Sequence, residues 1–256
     1  MKNIKQRLRN GETLTGCWLN LGSSITAEIV GLAGFDWVLI DLEHGPGSEK
    51  DLLHQLQALE HTPVASIVRV ESFERQRIHR VLDLGAEGVM VPRVSDTQEA
   101  QRVVSAIRYA PHGGRGVARM VRAAAFGQGF TECYSNATET LLGIIQIETI
   151  ESLNHLDAIA SLDGVDVLFI GPADLSMELG CFGQLTHPSF KDAVKATIDA
   201  AERAGKATGI LLPGPDEATA YSEMGMRLIA CGSDAGFIAE GARSMSTRLR
   251  AALTKG

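Results

Sequence analysis

A (β/α)8 barrel, an α/β fold, is what this sequence predicts, and three observations predict it. Eight short β-branched runs recur along the 256 residues. Most are near-continuous apolar runs without alternation, as parallel strands covered on both faces require. Amphipathic helical segments separate them, and about 250 residues is the usual length for eight such units.

The first strand is expected at 15–20 (TGCWLN) and the second at 37–42 (WVLIDL). A helix over 48–61 follows, because Ser48 can cap it and Leu52, Leu53, Leu56 and Leu59 share one stripe. The third strand, 65–70 (ASIVRV), leads into a helix over 71–85, and the fourth, 88–93 (GVMVPR), into one over 95–110. An insert at 111–141 then breaks the rhythm; long segments of this kind are usually functional, and it is expected to cover the barrel mouth. The fifth strand, 142–148 (LGIIQIE), precedes a helix over 149–161, and the sixth is 165–171 (VDVLFIG). A helix over 189–205, a seventh strand at 207–212, a helix over 216–225, an eighth strand at 227–232 and a closing helix over 233–256 complete the chain. With no linker or repeat in evidence, residues 1–256 are expected to form one domain. A doubly wound open sheet is the rival, but CWLNLGSS after the first strand lacks the G-x-G-x-x-G turn that it normally carries.

Composition narrows the function. Apolar residues are 45% and charged residues 21%, ordinary for a globular protein. A net charge of −7 offers no basic footprint for nucleic acid or an anionic membrane. Apolar stretches are strand-sized and no secretory core is present, so the cytoplasm is the expected compartment. Cys17, Cys133, Cys181 and Cys231 are dispersed, which favours buried free thiols over a zinc site or disulfides.

In such a barrel the chemistry sits on the carboxyl ends of the strands. There the second strand offers Asp41, Glu43 and His44, the third Arg69, the fifth Gln146 and Glu148, and the sixth Asp174. The opposite ends are expected to carry little charge apart from Lys206. Gln146 and Glu148 are two residues apart and share one face of their strand. If Ile145 and Ile147 pack outward, both point to the barrel axis. An inward carboxylate needs a compensating cation or donor, and Asp174 is the natural second ligand for a hard divalent ion such as Mg2+ or Mn2+. Glu148 could instead cap the next helix or pair with an arginine. Arg69 could bind a carboxylate or an enolate, or simply bridge to Asp41 or Glu43. His44 could be an acid/base or a solvated loop residue. The remaining histidines show no paired ligand spacing on a helix face.

Two chemistries are disfavoured. None of the seven lysines (Lys2, Lys5, Lys50, Lys191, Lys195, Lys206, Lys255) falls at a carboxyl strand end, against Schiff-base catalysis. No G-x-S-x-G elbow or P-loop is present.

The segments IDLEHGP, VPRVSDTQEA, RYAPHGGRG, IIQIET and FIGPADLSMELG, in that order, resemble the HpcH/HpaI aldolases, metal-dependent relatives of the citrate lyase β subunit. The resemblance runs nearly end to end. It implies a barrel whose last helix is exchanged between subunits, commonly in hexamers built of dimers. It implies that Glu148 and Asp174 bind Mg2+, Mn2+ or Co2+, and that Arg69 and Gln146 contact pyruvate. Backbone groups of Gly171, Pro172 and Ala173 would cradle its carboxylate. His44 would be the acid/base, assisted by Asp41, and Asp83 would contribute at a neighbouring subunit's site. The expected activity is class II aldol cleavage of a 4-hydroxy-2-oxo acid to pyruvate and an aldehyde, with the insert shaping the aldehyde pocket. A lyase acting on a CoA thioester or an oxaloacetate-like acid is the alternative enzyme, with Arg93, Arg119 and Arg122 as candidate charges. A non-catalytic oxo-acid-binding barrel is the third reading.

Overall fold

In the computed structural model, which describes residues 3–254, eight parallel strands close on themselves in sequence order. They are β1 (Leu14–Leu19), β2 (Trp37–Asp41), β3 (Ala65–Arg69), β4 (Gly88–Val91), β5 (Leu142–Ile147), β6 (Val167–Ile170), β7 (Ala207–Leu212) and β8 (Leu228–Ser233). The first helix, α1 (Ile4–Arg9), precedes β1, and α2 (Ser24–Gly31) follows it. Next come α3 (Glu49–Leu59), α4 (Arg75–Asp83), α5 (Thr97–Ile107), α6 (Phe130–Thr140), α7 (Ile150–Asn154), α8 (Leu156–Ala160), α9 (Pro172–Glu178), α10 (Pro188–Arg203), α11 (Ala218–Glu223) and α12 (Asp234–Leu253). Each expected strand is present. The expected helix over 149–161 is broken at His155, and residues 255–256 of the closing helix lie outside the described residues.

Parity along each strand builds two layers. Outward-facing Cys17, Val38, Val68, Val89, Ile145 and Leu168 pack against the helices. Inward-facing Leu14, Trp18, Trp37, Leu39, Ile67, Met90, Ile144 and Phe169 fill the barrel. Trp18, Trp37 and Phe169 form an aromatic floor, with ring centroids 5.6–6.2 Å apart. Small residues make room for it: a β-carbon on Gly16 would lie 2.1 Å from the Trp37 ring, and one on Gly209 would lie 2.5 Å from Phe169. Each large apolar side chain buried this way stabilises the fold by roughly 1.5–3 kcal/mol.

The amino end of the barrel is charged, contrary to expectation. Asp36, Glu87 and Asp166 stand just before β2, β4 and β6 and accept the backbone N–H groups of Thr15 (2.9 Å), Ser66 (2.8 Å) and Gly143 (2.9 Å). They tie neighbouring strands together where the ladder begins. Lys5, buried on α1, donates to the Thr138 and Leu141 carbonyls and pairs with Asp166 at 2.9 Å. Ile4 and Leu8 of the same helix close this end of the core.

The insert is also here, not over the mouth. It connects α5 to β5, and a helix-to-strand connection in this topology runs at the amino end. Arg122 donates to the Leu84 carbonyl and pairs with Glu60, both at the carboxyl ends of outer helices. Among the described residues no helix is long and apolar enough to cross a membrane.

Candidate active site

Continuing the inward row past the strand ends gathers the polar groups. Asn20 follows Trp18, Asp41 follows Leu39, Arg69 follows Ile67, and Gln146 and Glu148 follow Ile144. With Gly171, Pro172, Ala173, Asp174, His44 and Leu212, all but Glu148 line a cavity of about 870 Å³. Glu148, 2% exposed, lies just behind that lining. A larger depression, about 1010 Å³, lies at the amino end beside the insert, away from these residues.

Arg69 is the central cation. Its Nε and Nη2 donate to Asp41 Oδ1 and Oδ2 at 2.9 and 2.7 Å, and its Nη1 meets Glu43 Oε2 at 2.9 Å. The guanidinium also lies 5.9 Å from the Trp18 ring. Asp41 Oδ1 further accepts the backbone N–H groups of Glu43 (3.1 Å) and His44 (3.4 Å). The His44 imidazole is 69% exposed and its Nε2 lies 3.8 Å from Glu43. Asp41 therefore orients Arg69 and the loop backbone, while Glu43 is the carboxylate beside the imidazole. Burial pushes the Glu43 carboxyl up, against the pull of Arg69.

Glu148 is buried, and the two donors that its oxygens meet are neutral. Its Oε1 accepts the Arg93 backbone N–H at 2.7 Å, and its Oε2 accepts from Gln146. Arg93 sits at φ 52°, a left-handed conformation unusual for a non-glycine residue, and this aims its N–H inward. Desolvation raises the Glu148 carboxyl to about 7, and Asp174 and Glu43 push it the same way. A β-carbon on Gly171 would lie 2.5 Å from Glu148 Oε2 and 2.8 Å from Gln146 Nε2, so the glycine lets the backbone close over the carboxylate. Buried Gln146 Oε1 has no hydrogen-bond partner. Several carboxylates thus share one arginine, and the free donors are oxygens. That set suits a hard divalent ion. Among the described residues no three His, Cys, Asp or Glu side chains gather to hold a metal, so Glu148 and Asp174 would need water or substrate oxygens to complete a shell.

Asp83 lies apart from these groups. It ends α4 at the amino side of its own barrel and pairs with Arg115 at 2.9 Å. Arg119 and Arg122 belong to the insert and are likewise remote from the mouth, which leaves Arg93 as the one of the three candidate charges at the carboxyl end. Asn20 and the Arg93 backbone were not foreseen. Strand parity alone would have pointed to Asn20; nothing in the sequence marks a backbone N–H.

Comparison with known proteins agrees with this architecture. The profile of the HpcH/HpaI aldolase/citrate lyase family matches residues 14–240. The chain is 38% identical over 250 residues to a hydroxypyruvate/pyruvate aldolase of Pseudomonas aeruginosa, covering 98% of this chain and 93% of that one. It is 38% identical over 252 residues to a 4-hydroxy-2-oxo-heptane-1,7-dioate aldolase of Salmonella arizonae, covering 98% and 96%. A crystal structure of a family protein from Burkholderia cenocepacia superposes with a TM-score of 0.92 at 37% identity, covering 98% of this chain and 100% of that one. With the strand-end residues and the closed barrel, these likenesses make the chain a member of the HpcH/HpaI aldolase/citrate lyase family.

Proposed function

We propose that this protein is a class II pyruvate aldolase, a carbon–carbon lyase that reversibly cleaves a 4-hydroxy-2-oxo acid to pyruvate and an aldehyde. The observation that carries the reading is the buried, undercompensated Glu148 carboxylate, with Asp174 beside it and the Arg69 guanidinium lining the same site. The names of the relatives support the same chemistry.

Glu148 and Asp174 would hold the divalent ion, Mg2+, Mn2+ or Co2+, which would supply Lewis acidity toward the keto acid. Gln146, with its free Oε1, and the backbone of Gly171, Pro172 and Ala173 orient the pyruvyl half. His44 accepts the C4-hydroxyl proton as the C3–C4 bond breaks, and the hydroxyl carbon leaves as the aldehyde. The bonding electrons pass to the pyruvyl half as an enolate, whose charge Arg69 takes up, and a proton delivered to C3 completes pyruvate. Asp41 holds Arg69 in place.

The chain works as one barrel domain within a homo-oligomer, a hexamer built of dimers. Exposed Phe237, Ile238, Met245, Leu249 and Leu253 on α12, and Ile25 and Ile29 on α2 with Leu32 just past its end, support an exchange of the last helix between subunits. Asp83, remote from its own site, serves a neighbour's across that assembly. Four free thiols suit a reducing compartment, the cytoplasm.

The test is a screen of 4-hydroxy-2-oxo acids with each metal, coupled to pyruvate detection, beside malyl-CoA-type thioesters. Metal-dependent pyruvate release that EDTA stops, and that Glu148→Gln or Asp174→Asn abolishes, is expected. Full activity in EDTA or in either variant refutes the reading. Turnover confined to thioesters moves the chain to the CoA branch of the family.

A further inference from the structure

The Asp41 carboxylate is wholly enclosed, with no exposed side-chain surface, and its two oxygens have different company. Oδ1 takes Arg69 Nε and two loop N–H groups. Oδ2 takes Arg69 Nη2 and, at 3.0 Å, the side-chain amide of Asn20. The amide is the donor that reaches this carboxylate from β1, across β2 from Arg69.

Asn20 is itself held on both sides. Its backbone N–H donates to Asp234 Oδ1 at 2.8 Å. Asp234, 2% exposed at the start of α12, also accepts from Thr26 Oγ1 at 2.7 Å and from the Leu21 N–H at 3.4 Å. Facing it, Gly45 packs so closely that a β-carbon there would lie 3.1 Å from the Asn20 carbonyl oxygen. The loop N–H groups hold Oδ1 alone, so without the amide Oδ2 would answer only to Arg69 Nη2; a donor from beyond β1 holds that second oxygen and so fixes the plane of the carboxylate.

We infer that Asn20 is a positioning residue for the aldol reaction: its amide locks Asp41, and through Asp41 the Arg69 guanidinium, at the angle at which the enolate is stabilised, with Asp234 as its anchor. The inference rests on the aldolase reading above. The charged groups around the amide are Asp41 on β2, Arg69 on β3, Glu43 on the far side of the guanidinium and Asp234 beneath the backbone.

The experiment uses the full chain with saturating Mn2+ and follows exchange of the pyruvate C3 protons for deuterium, a half-reaction that needs no aldehyde. Asn20→Ala is expected to lower the exchange rate about tenfold, with KM for pyruvate within about twofold, as loss of one hydrogen bond to a charged group predicts. Asn20→Asp keeps the shape but sets a second carboxylate against Asp41. Its rate relative to wild type is expected to be low at neutral pH and to recover as the pH falls, because the protonated acid again donates to Oδ2. A structural defect would lack that recovery. No exchange by wild type defeats the aldolase reading itself. Wild-type exchange with an unimpaired Asn20→Ala variant, or an Asn20→Asp ratio that is flat with pH, overturns the Asn20 assignment alone.

Discussion

Arg69 and Asp41 meet as a two-point fork, Nε on Oδ1 at 2.9 Å and Nη2 on Oδ2 at 2.7 Å, and the remaining Nη1 reaches Glu43. A lysine keeps the charge but cannot span three carboxylate oxygens in one plane. Arg69→Lys is therefore expected to lower kcat by about 10²–10³-fold, the usual scale for losing directed stabilisation of a developing anion. Steady-state pyruvate release measures it, and a loss below threefold would remove Arg69 from the enolate step.

Gly171→Ala should be more disruptive than its size suggests. The added methyl would sit 2.5 Å from Glu148 Oε2 and 2.8 Å from Gln146 Nε2, so the carboxylate must move. Activity should fall by about 10²-fold or more, because a misplacement of about 1 Å can cost that much. Titration of Mn2+ by calorimetry should show weakened binding. Unchanged binding would mean that Glu148 is not a ligand.

Stability should carry the signature of Glu148. Its folded-state value, about 7, is above the ordinary 4.5, so the folded protein holds the proton more tightly than the unfolded chain. The contribution is fully present below about pH 4.5 and is lost as pH rises through about 7. In chelator, the melting temperature of wild type should therefore drop more than that of Glu148→Gln between about pH 5 and 8. Added Mn2+ should raise wild-type Tm more at the upper end of that range. Parallel profiles for the two proteins would contradict this.

At the other end of the barrel, Lys5→Met should separate stability from catalysis. The substitution strands Asp166 and frees two carbonyls, and breaking a buried pair costs about 3 kcal/mol. Denaturant unfolding should show that loss with kcat unchanged. A matching fall in kcat would mean that the two ends are coupled.

The strands were legible because apolar runs and two-residue parity are local signals. The same parity pointed Gln146 and Glu148 inward while Ile145 and Ile147 joined the outer core. The length of the insert suggests a cover for the mouth, but its place in the order decides against it: a segment between a helix and the next strand comes out at the amino end. The charge at that end is hard to read for a related reason, since Asp36, Glu87 and Asp166 act on the neighbouring strand's N–H groups, partners that a linear sequence does not show. Asn20 carries no charge to mark it, although it stands in the same inward row as Trp18.

The aromatic floor of Trp18, Trp37 and Phe169 makes the site a blind well: solutes enter and leave by one opening. In the proposed aldol reaction a keto acid seated on Arg69 near that floor would lie beneath any aldehyde, and traffic would be last in, first out. Cleavage should discharge the aldehyde before pyruvate, and synthesis should load them in the reverse sequence. Product-inhibition kinetics would register this as pyruvate competing directly with the 4-hydroxy-2-oxo acid while the aldehyde does not.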